Sequence, residues 1–191
     1  MQLATWNVNS LSVRLPQLLD WLAANPVDVL VLQETKLTDD KFPHADLEAA
    51  GYQSQWFGQK TYNGVALLTR SASTDIVKNI PGFADDQARV IAGTVNDPVV
   101  GSVRVIGCYF PNGQAPDSDK FVYKMNWLTA LQAWVRDELT RHPNLVIMGD
   151  YNIAPTDDDV YDPVLWKDQI HCTVPEREHF QKLLQLGLTD A

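Results

Sequence analysis

The middle of the chain holds five successive segments with the character of β-strands and no helix between them. They cover residues 52–57, 65–70, 75–79, 89–95 and 103–109. The dipeptide Asn63-Gly64 is a strong turn signal before the second segment, because both residues accept positive φ angles. Because strand and helix do not alternate strictly here, a doubly wound parallel sheet is disfavoured. The pattern favours an α/β (α+β) fold in which a mixed sheet, or two stacked sheets, is flanked by helices.

Strands and helices also lie on both sides of this middle region. We predict further strands at 2–8, 27–33 and 144–149, and helices at 15–25, 45–50, 118–141 and 175–186. Gly149 is expected to let the chain turn sharply where the strand at 144–149 ends. Apolar residues recur every three or four positions in the longest helix, which indicates one buried face. The acidic run Asp157-Asp158-Asp159 is typical of a solvated helix start.

Composition places the chain among globular proteins. Its 191 residues, of which 45% are hydrophobic, suffice for one domain with a sizeable core and exclude intrinsic disorder. No apolar stretch is long enough to span a bilayer, and the first residues lack the features of a signal peptide. Cys108 and Cys172 lie in unrelated contexts, which favours reduced thiols. We therefore expect a cytoplasmic protein that has no membrane partner.

The formal net charge of −9 argues against indiscriminate binding to nucleic acid, since the phosphate backbone attracts clustered Lys and Arg. However, a chain that collects metal-binding carboxylates is acidic overall and can still present a local basic face. Charge alone therefore does not decide the partner.

Polar side chains stand at or near the ends of three predicted strands. They are Asn7, Glu34, Asp150 and Asn152. Hard oxygen donors without Cys or His suit Mg²⁺ or Mn²⁺ rather than zinc. Asp150 or Asn152 taken alone would more often belong to a turn or a helix cap than to a metal site. Glu34 is harder to explain structurally, because it comes after Gln33 at the end of the mainly apolar run 27–32, where an unpaired carboxylate is costly to bury.

Five sequence motifs, three of which contain these residues, resemble those of exonuclease III, in the endonuclease/exonuclease/phosphatase superfamily. In family order they are Trp6-Asn7-Val8-Asn9-Ser10-Leu11, Leu32-Gln33-Glu34-Thr35-Lys36, Tyr62-Asn63-Gly64-Val65-Ala66-Leu67-Leu68, Tyr109-Phe110-Pro111-Asn112-Gly113 and Gly149-Asp150-Tyr151-Asn152-Ile153-Ala154-Pro155. The resemblance implies a DNase I-like two-layer β-sandwich of mixed sheets flanked by helices. It also implies a Mg²⁺- or Mn²⁺-dependent DNA phosphodiesterase of the repair branch, acting on double-stranded DNA with 3′ ends or abasic sites.

The resemblance also implies roles for individual residues. Asn7, Glu34, Asp150 and Asn152 are expected to form the metal site, with Glu34 as the principal ligand. Tyr109, Asp150 and Asn152 are expected to be catalytic: Tyr109 contacts the scissile phosphate, Asp150 orients or deprotonates the attacking water, and Asn152 stabilises the charged phosphate. Arg89 and Lys120 are weaker candidates for contact with DNA phosphates.

The family pattern continues beyond residue 191, where the resemblance implies a further catalytic Asp and a Ser-Asp-His element. The chain is therefore expected to be a single, C-terminally shortened nuclease domain, 1–191, with an incomplete second sheet. An exposed sheet edge would allow a homodimer. Two functions stay open: an impaired 3′-to-5′ exodeoxyribonuclease or abasic-site endonuclease, and an inactive relative that binds DNA or a partner without cleaving.

Overall fold

Eight strands form two four-stranded sheets in the computed structural model, which describes residues 1–191. The strands are β1 Leu3–Asn7, β2 Val29–Gln33, β3 Gln53–Phe57, β4 Val65–Thr69, β5 Ser73–Lys78, β6 Val90–Asp97, β7 Gly101–Tyr109 and β8 Leu145–Asp150. The first sheet has the order β1-β2-β4-β3 and the second the order β5-β6-β7-β8. The pairs β1–β2 and β7–β8 are parallel, whereas all other pairs are antiparallel. Both sheets are therefore mixed, which confirms the predicted fold class.

The apolar core between the sheets comes from alternate residues of the central strands. Val29 and Val31 of β2 and Leu67 of β4 pack with Ile91 and Val105 of the second sheet. The opposite faces of β2 and β4 are buried as well, which is why both strands appear in the sequence as continuous apolar runs.

Two helices cover the outer face of the first sheet. They are α1, Leu11–Ala24, and α2, His44–Ala49. Leu18 and Leu22 of α1 and Leu47 of α2 pack in one cluster with Leu30 and Leu32 of β2. The predicted helix began at residue 15, whereas α1 begins four residues earlier, at Leu11. This start is not visible in the local sequence, because the Leu11 N–H donates to the carbonyl of Thr35, a distant residue.

Gly149 lies inside β8, opposite Cys108 of β7, so the predicted turn at Gly149 is wrong. Its φ is +150°, and a Cβ at this position would overlap the carbonyl oxygen of Cys108. A glycine is therefore required because two backbones approach closely. As a consequence, Asp150 is the last residue of β8.

The chain forms two compact units. The first comprises Met1–Tyr109 and Arg141–Asp150 and contains both sheets, and the second comprises Phe110–Thr140 and Tyr151–Ala191. The predicted single domain stays a prediction, as does the homodimer. No helix is both long and apolar enough to span a bilayer.

The second unit is helical. Its helices are α3, Asp119–Arg141, whose last residue belongs to the first unit, α4, Pro163–Trp166, and α5, Val174–Leu184. Phe110, Trp127, Tyr151 and Phe180 form a chain of ring contacts in its core. The acidic run forms a 3₁₀ helix, Asp157–Asp159, capped by Thr156, as its composition indicated. The four-residue α4 was not predicted, since it is too short to show an apolar period.

Candidate active site

Four of the predicted site residues lie at strand ends in the first unit. Asn7 is the last residue of β1, and Glu34 directly follows the parallel strand β2. Tyr109 and Asp150 are the last residues of β7 and β8 and face each other in the parallel register. Because paired parallel strands run in one direction, each pair delivers two polar side chains to the same edge of its sheet.

The amide of Asn7 joins the two sheet edges. Its Nδ2 atom donates to Glu34 Oε1 at 2.8 Å and to Asp150 Oδ2 at 2.8 Å. Its Oδ1 atom accepts the N–H of Asn9 at 3.0 Å and is thereby directed away from the carboxylates. Asn7 therefore acts as a donor that holds two carboxylates side by side.

Glu34 is held in an uncommon backbone conformation. Its φ is +55°, in the left-handed region that few residues other than glycine adopt. The chain that follows is fixed by the turn predicted at Asn63-Gly64, because the N–H groups of Thr35 and Lys36 donate to the carbonyls of Gly64 and Asn63. Strain at this position is thus maintained by hydrogen bonds from another part of the first unit.

A lysine completes the surroundings of the Glu34 carboxylate. Lys36 Nζ lies 2.9 Å from Glu34 Oε2, and the Glu34 side chain is 19% exposed. Partial burial acts to raise the pKa of Glu34, but hydrogen bonds from Asn7, Lys36 and Tyr109 outweigh it and lower that pKa below its ordinary value. Glu34 is therefore ionised at neutral pH and available to a cation.

Tyr109 lies beside the Glu34 carboxylate and is itself uncharged. Burial raises the pKa of Tyr109, and the negative charge of Glu34, to which its hydroxyl is hydrogen-bonded, raises it further. The hydroxyl therefore keeps its proton and remains a donor at the edge of the site.

Arg89 supports Tyr109 from inside the fold. It is only 8% exposed, its Nη1 donates to the Tyr109 carbonyl at 3.2 Å, and its Cζ lies 4.9 Å from the Tyr109 ring centroid. Its Nε and Nη2 both donate to Gln87 Oε1, at 3.1 and 2.7 Å. These contacts favour a structural role for Arg89, and its contact with DNA stays a prediction. Lys120, by contrast, is exposed in the first turn of α3.

Asn152 lies in the second unit and also has a positive φ, +48°. Its Nδ2 donates to the Phe110 carbonyl at 3.0 Å, and its Oδ1 lies 3.4 Å from Asn112 Nδ2. The same Asn112 nitrogen lies 2.9 Å from His171 Nε2. Asn152 is therefore part of a group of three polar side chains at the loops that follow β7 and β8.

Few side chains of the first unit are placed to coordinate a metal ion. No group of three or more His, Cys, Asp and Glu side chains is placed to hold a metal ion. The carboxylates of Glu34 and Asp150, joined by Asn7, are the oxygen donors of the first-unit site. Such a set suits a hard cation that keeps several waters.

Sequence reasoning did not single out three residues that the structure places at these sites. Lys36 and Asn112 are inside the motifs that carry the family resemblance, so the motifs themselves could have indicated them. His171 has no local signal, because its contact with Asn112 spans 59 positions.

Comparisons with known proteins place the chain in a family. The sequence profile described as the endonuclease/exonuclease/phosphatase family matches residues 4–175. The chain is similar to exodeoxyribonuclease III of Haemophilus influenzae, with 33% identity over 100% of this chain and 74% of that protein.

Two solved structures have the same fold. A Neisseria 3′ phosphatase, NExo, bound to a product DNA hairpin, superposes with a TM-score of 0.95 and 55% identity, over 100% of this chain and 72% of that one. An AP endonuclease from Archaeoglobus fulgidus gives a TM-score of 0.91 and 34% identity, over 100% and 72% of the two chains.

Proposed function

The chain belongs to the endonuclease/exonuclease/phosphatase family, and on this premise we propose that it is a divalent-metal-dependent phosphodiesterase that acts on 3′ ends and abasic sites of duplex DNA. It is a nuclease of DNA repair, as its similarity to exodeoxyribonuclease III supports. The Neisseria relative bound to a DNA hairpin supports DNA as the substrate.

The observation that carries the proposal is the Asn7 bridge. One amide nitrogen holds the carboxylates of Glu34 and Asp150, each at 2.8 Å, at the joined edges of two sheets. Two neighbouring carboxylates repel each other, which is unfavourable for stability. Such pairs are common at functional sites, where the concentrated negative charge binds a ligand. A divalent cation is the ligand that this charge fits best.

The donor set fits Mg²⁺ or Mn²⁺. Both carboxylates are hard oxygen donors, no thiolate takes part, and few protein ligands leave coordination positions for water and phosphate oxygens. Glu34 and Asp150 would hold the ion, and it would supply charge neutralisation at the phosphate. In this proposal Asn7 aligns the two carboxylates through its nitrogen, and the Asn152 oxygen lies beside Asn112. Direct coordination of the metal by Asn7 and Asn152 stays a prediction.

The chain's own groups have distinct tasks in hydrolysis. The Asp150 carboxylate orients the attacking water and accepts its proton. The Tyr109 hydroxyl is protonated at neutral pH and hydrogen-bonded to Glu34, and it would turn its single proton from that carboxylate to a phosphate oxygen of the bound substrate. Asn152, two residues beyond Asp150, donates its amide to the charged phosphate as negative charge develops.

The test is cleavage of defined duplexes by purified protein. A 3′-recessed duplex and an abasic duplex are incubated with Mg²⁺ or with EDTA, using the wild type, Asp150→Asn and Asp158→Asn. We expect Mg²⁺-dependent cleavage, a loss of about 10² to 10⁴ in rate for Asp150→Asn, and no loss for Asp158→Asn, an exposed residue of the 3₁₀ helix. The relative rates on the two duplexes define the substrate preference.

Two outcomes would contradict the proposal. Cleavage by Asp150→Asn at the wild-type rate would remove Asp150 from the reaction and indicate a contaminating nuclease. Binding of both duplexes without any cleavage would instead support a DNA-binding relative that has lost activity.

A further inference from the structure

A buried ion pair lies at the centre of the second unit. Lys124 of α3 and Glu176 of α5 both have side chains that are 0% exposed, and Lys124 Nζ lies 2.5 Å from Glu176 Oε1. Removing two charges from water is costly, and an apolar pair of similar size commonly gives equal or greater stability. Stability alone therefore does not explain this pair, and its other contacts require an explanation.

The ammonium group of Lys124 reaches two loops of the candidate site. Besides Glu176, Nζ donates to the carbonyl of Asn152 at 2.6 Å and to the carbonyl of Asn112 at 3.2 Å. Asn112 and Asn152 are the residues whose side-chain amides lie next to each other, with Nδ2 of Asn112 3.4 Å from Oδ1 of Asn152. One charged group thus fixes the backbone beneath both amides.

Glu176 connects the buried ion pair to a third segment, the residues before α5. Its Oε2 accepts the N–H of Thr173 at 3.1 Å and the Thr173 hydroxyl at 2.7 Å, which caps the start of α5. Two residues before this cap lies His171, whose ring contacts Asn112 and whose carbonyl accepts the N–H of Ala154 at 2.9 Å. The ion pair therefore orders all three segments that carry Asn112, Asn152 and His171.

The stem of Lys124 is also closely confined. A Cβ at Gly113 would lie 3.1 Å from Lys124 Cδ and 2.8 Å from Ile170 Cδ1, so the loop carrying Asn112 follows the lysine stem closely. Because the lysine side chain is fully buried and its ammonium group has three hydrogen-bond partners, it holds the two carbonyls close to each other.

We propose that Lys124, with Glu176 as its counter-ion, is a positioning residue for phosphodiester hydrolysis. By holding the carbonyls of Asn112 and Asn152, it orients the Asn152 side-chain amide that meets the phosphate of the substrate, together with the Asn112 amide beside it. This inference rests on the proposed function, in which Asn152 stabilises the charged phosphate. Lys124 does not itself contact substrate, and its effect is on the rate of the chemical step.

The decisive variant is the double substitution Lys124→Met with Glu176→Gln. It removes both charges together, keeps an oxygen for the Thr173 cap, and avoids the unpaired buried charge that either single loss of charge would leave. We expect a folded protein whose kcat falls roughly 10- to 100-fold while KM for the 3′-recessed duplex changes less than about threefold, because the amides are misplaced in the transition state.

A matched control is available on the same two helices. Gln132 of α3 donates through Nε2 to the His179 carbonyl of α5 at 2.9 Å, and the same nitrogen lies 2.7 Å from the His179 ring, so its hydrogen bonds are directed to α5. Gln132→Met should lower stability while kcat stays at the wild-type value. A double variant that keeps wild-type kcat, or a Gln132→Met that loses kcat equally, would overturn the positioning role.

Two further measurements complete the test. The side-chain amide NMR signals of Asn112 and Asn152 should shift in the double variant and not in Gln132→Met.

The variant Asn152→Ala is assayed in parallel. Wild-type activity of Asn152→Ala would refute the proposed function of Asn152. If Asn152→Ala is inactive but the double variant is fully active, only the inference about Lys124 is refuted.

If the double variant does not fold, the hydrogen bonds of Lys124 are measured by NMR in the wild-type protein instead. Its Lys124 ammonium should exchange protons slowly and show a scalar coupling through the hydrogen bond to the Asn152 carbonyl carbon. Absence of that coupling would overturn the inference.

Discussion

The side-chain nitrogen of Asn7 lies 2.8 Å from the Asp150 carboxylate, although 143 positions separate the two residues in the sequence. The contact joins the last residue of the first strand to the last residue of the eighth. Since the same nitrogen also donates to Glu34, the spacing of the two carboxylates depends on this one amide.

Asn7→Asp should therefore destabilise the protein in the absence of metal. A third carboxylate would replace the shared donor, and we expect the free energy of unfolding to fall by about 2 kcal/mol in EDTA at neutral pH. Added Mg²⁺ should reduce this deficit, because a cation bound only by the folded state offsets the repulsion. Urea denaturation with and without Mg²⁺ measures both effects.

Asn9→Asp is the matched control for this substitution. The Asn9 oxygen already accepts from Lys36 Nζ, so a carboxylate there gains a cation partner, and stability should change by less than about 0.5 kcal/mol. Equal losses for Asn7→Asp and Asn9→Asp, or a deficit that Mg²⁺ does not reduce, would contradict the metal site assigned to Glu34 and Asp150.

Arg89 and Lys120 should differ in what their removal changes. Arg89→Met deprives the Tyr109 carbonyl and Gln87 of their buried donor, and we expect the free energy of unfolding to fall by about 2 kcal/mol. Lys120→Met should leave stability within about 0.5 kcal/mol of the wild type and reduce the salt dependence of DNA binding by about one phosphate contact.

Urea denaturation and binding to a 3′-recessed duplex at several salt concentrations distinguish these two roles. If Arg89→Met retains full stability, its guanidinium is not the internal support that its contacts with Tyr109 indicate. A Lys120→Met variant with an unchanged salt slope would show that Lys120 meets no phosphate.

The sequence allowed the strand ends of the site to be predicted, because a polar residue directly after a buried apolar run is locally visible. Glu34 and Asp150 were found in this way. The contact that brings them together was not predictable from local pattern, since it depends on how the two sheets stack. Lys124 and Glu176 were missed for a related reason: an isolated charge on a helix is normally exposed, and only a partner 52 positions away makes its burial possible.

Gly149 illustrates a residue that was correctly noted and wrongly explained. Its sequence context, at the end of an apolar run, suggested a turn. The structure assigns it to β8, where the backbone of Cys108 leaves no space for a Cβ. Sequence pattern carries information on turn residues but not on the distance between paired backbones.

Gly149→Ala should consequently be severely destabilising. The added methyl group would overlap the Cys108 carbonyl, and we expect a loss of about 3 kcal/mol or more in the free energy of unfolding. Gly82→Ala is the control, because Gly82 also has a positive φ, +79°, but no atom within 4 Å of the added Cβ. It should cost only about 1 kcal/mol of backbone strain. Similar losses in the two variants, measured by urea denaturation, would contradict the close approach at Gly149.

His179 of α5 should make the stability of the protein depend on pH. Burial is the main cause that lowers the pKa of His179 below its ordinary value of 6.5, and nearby Lys182 lowers it further. The unfolded chain therefore binds more protons at this position, so the contribution of His179 is present above about pH 6.5 and is lost as pH falls through the lower folded pKa.

His179→Asn replaces the imidazole by a group that does not titrate and can still accept from Gln132 Nε2, which lies 2.7 Å from His179 Nδ1. We expect the decline in the free energy of unfolding between about pH 7 and pH 5 to be smaller in this variant. Equal pH slopes for the two proteins in urea denaturation would show that His179 is not a source of this dependence.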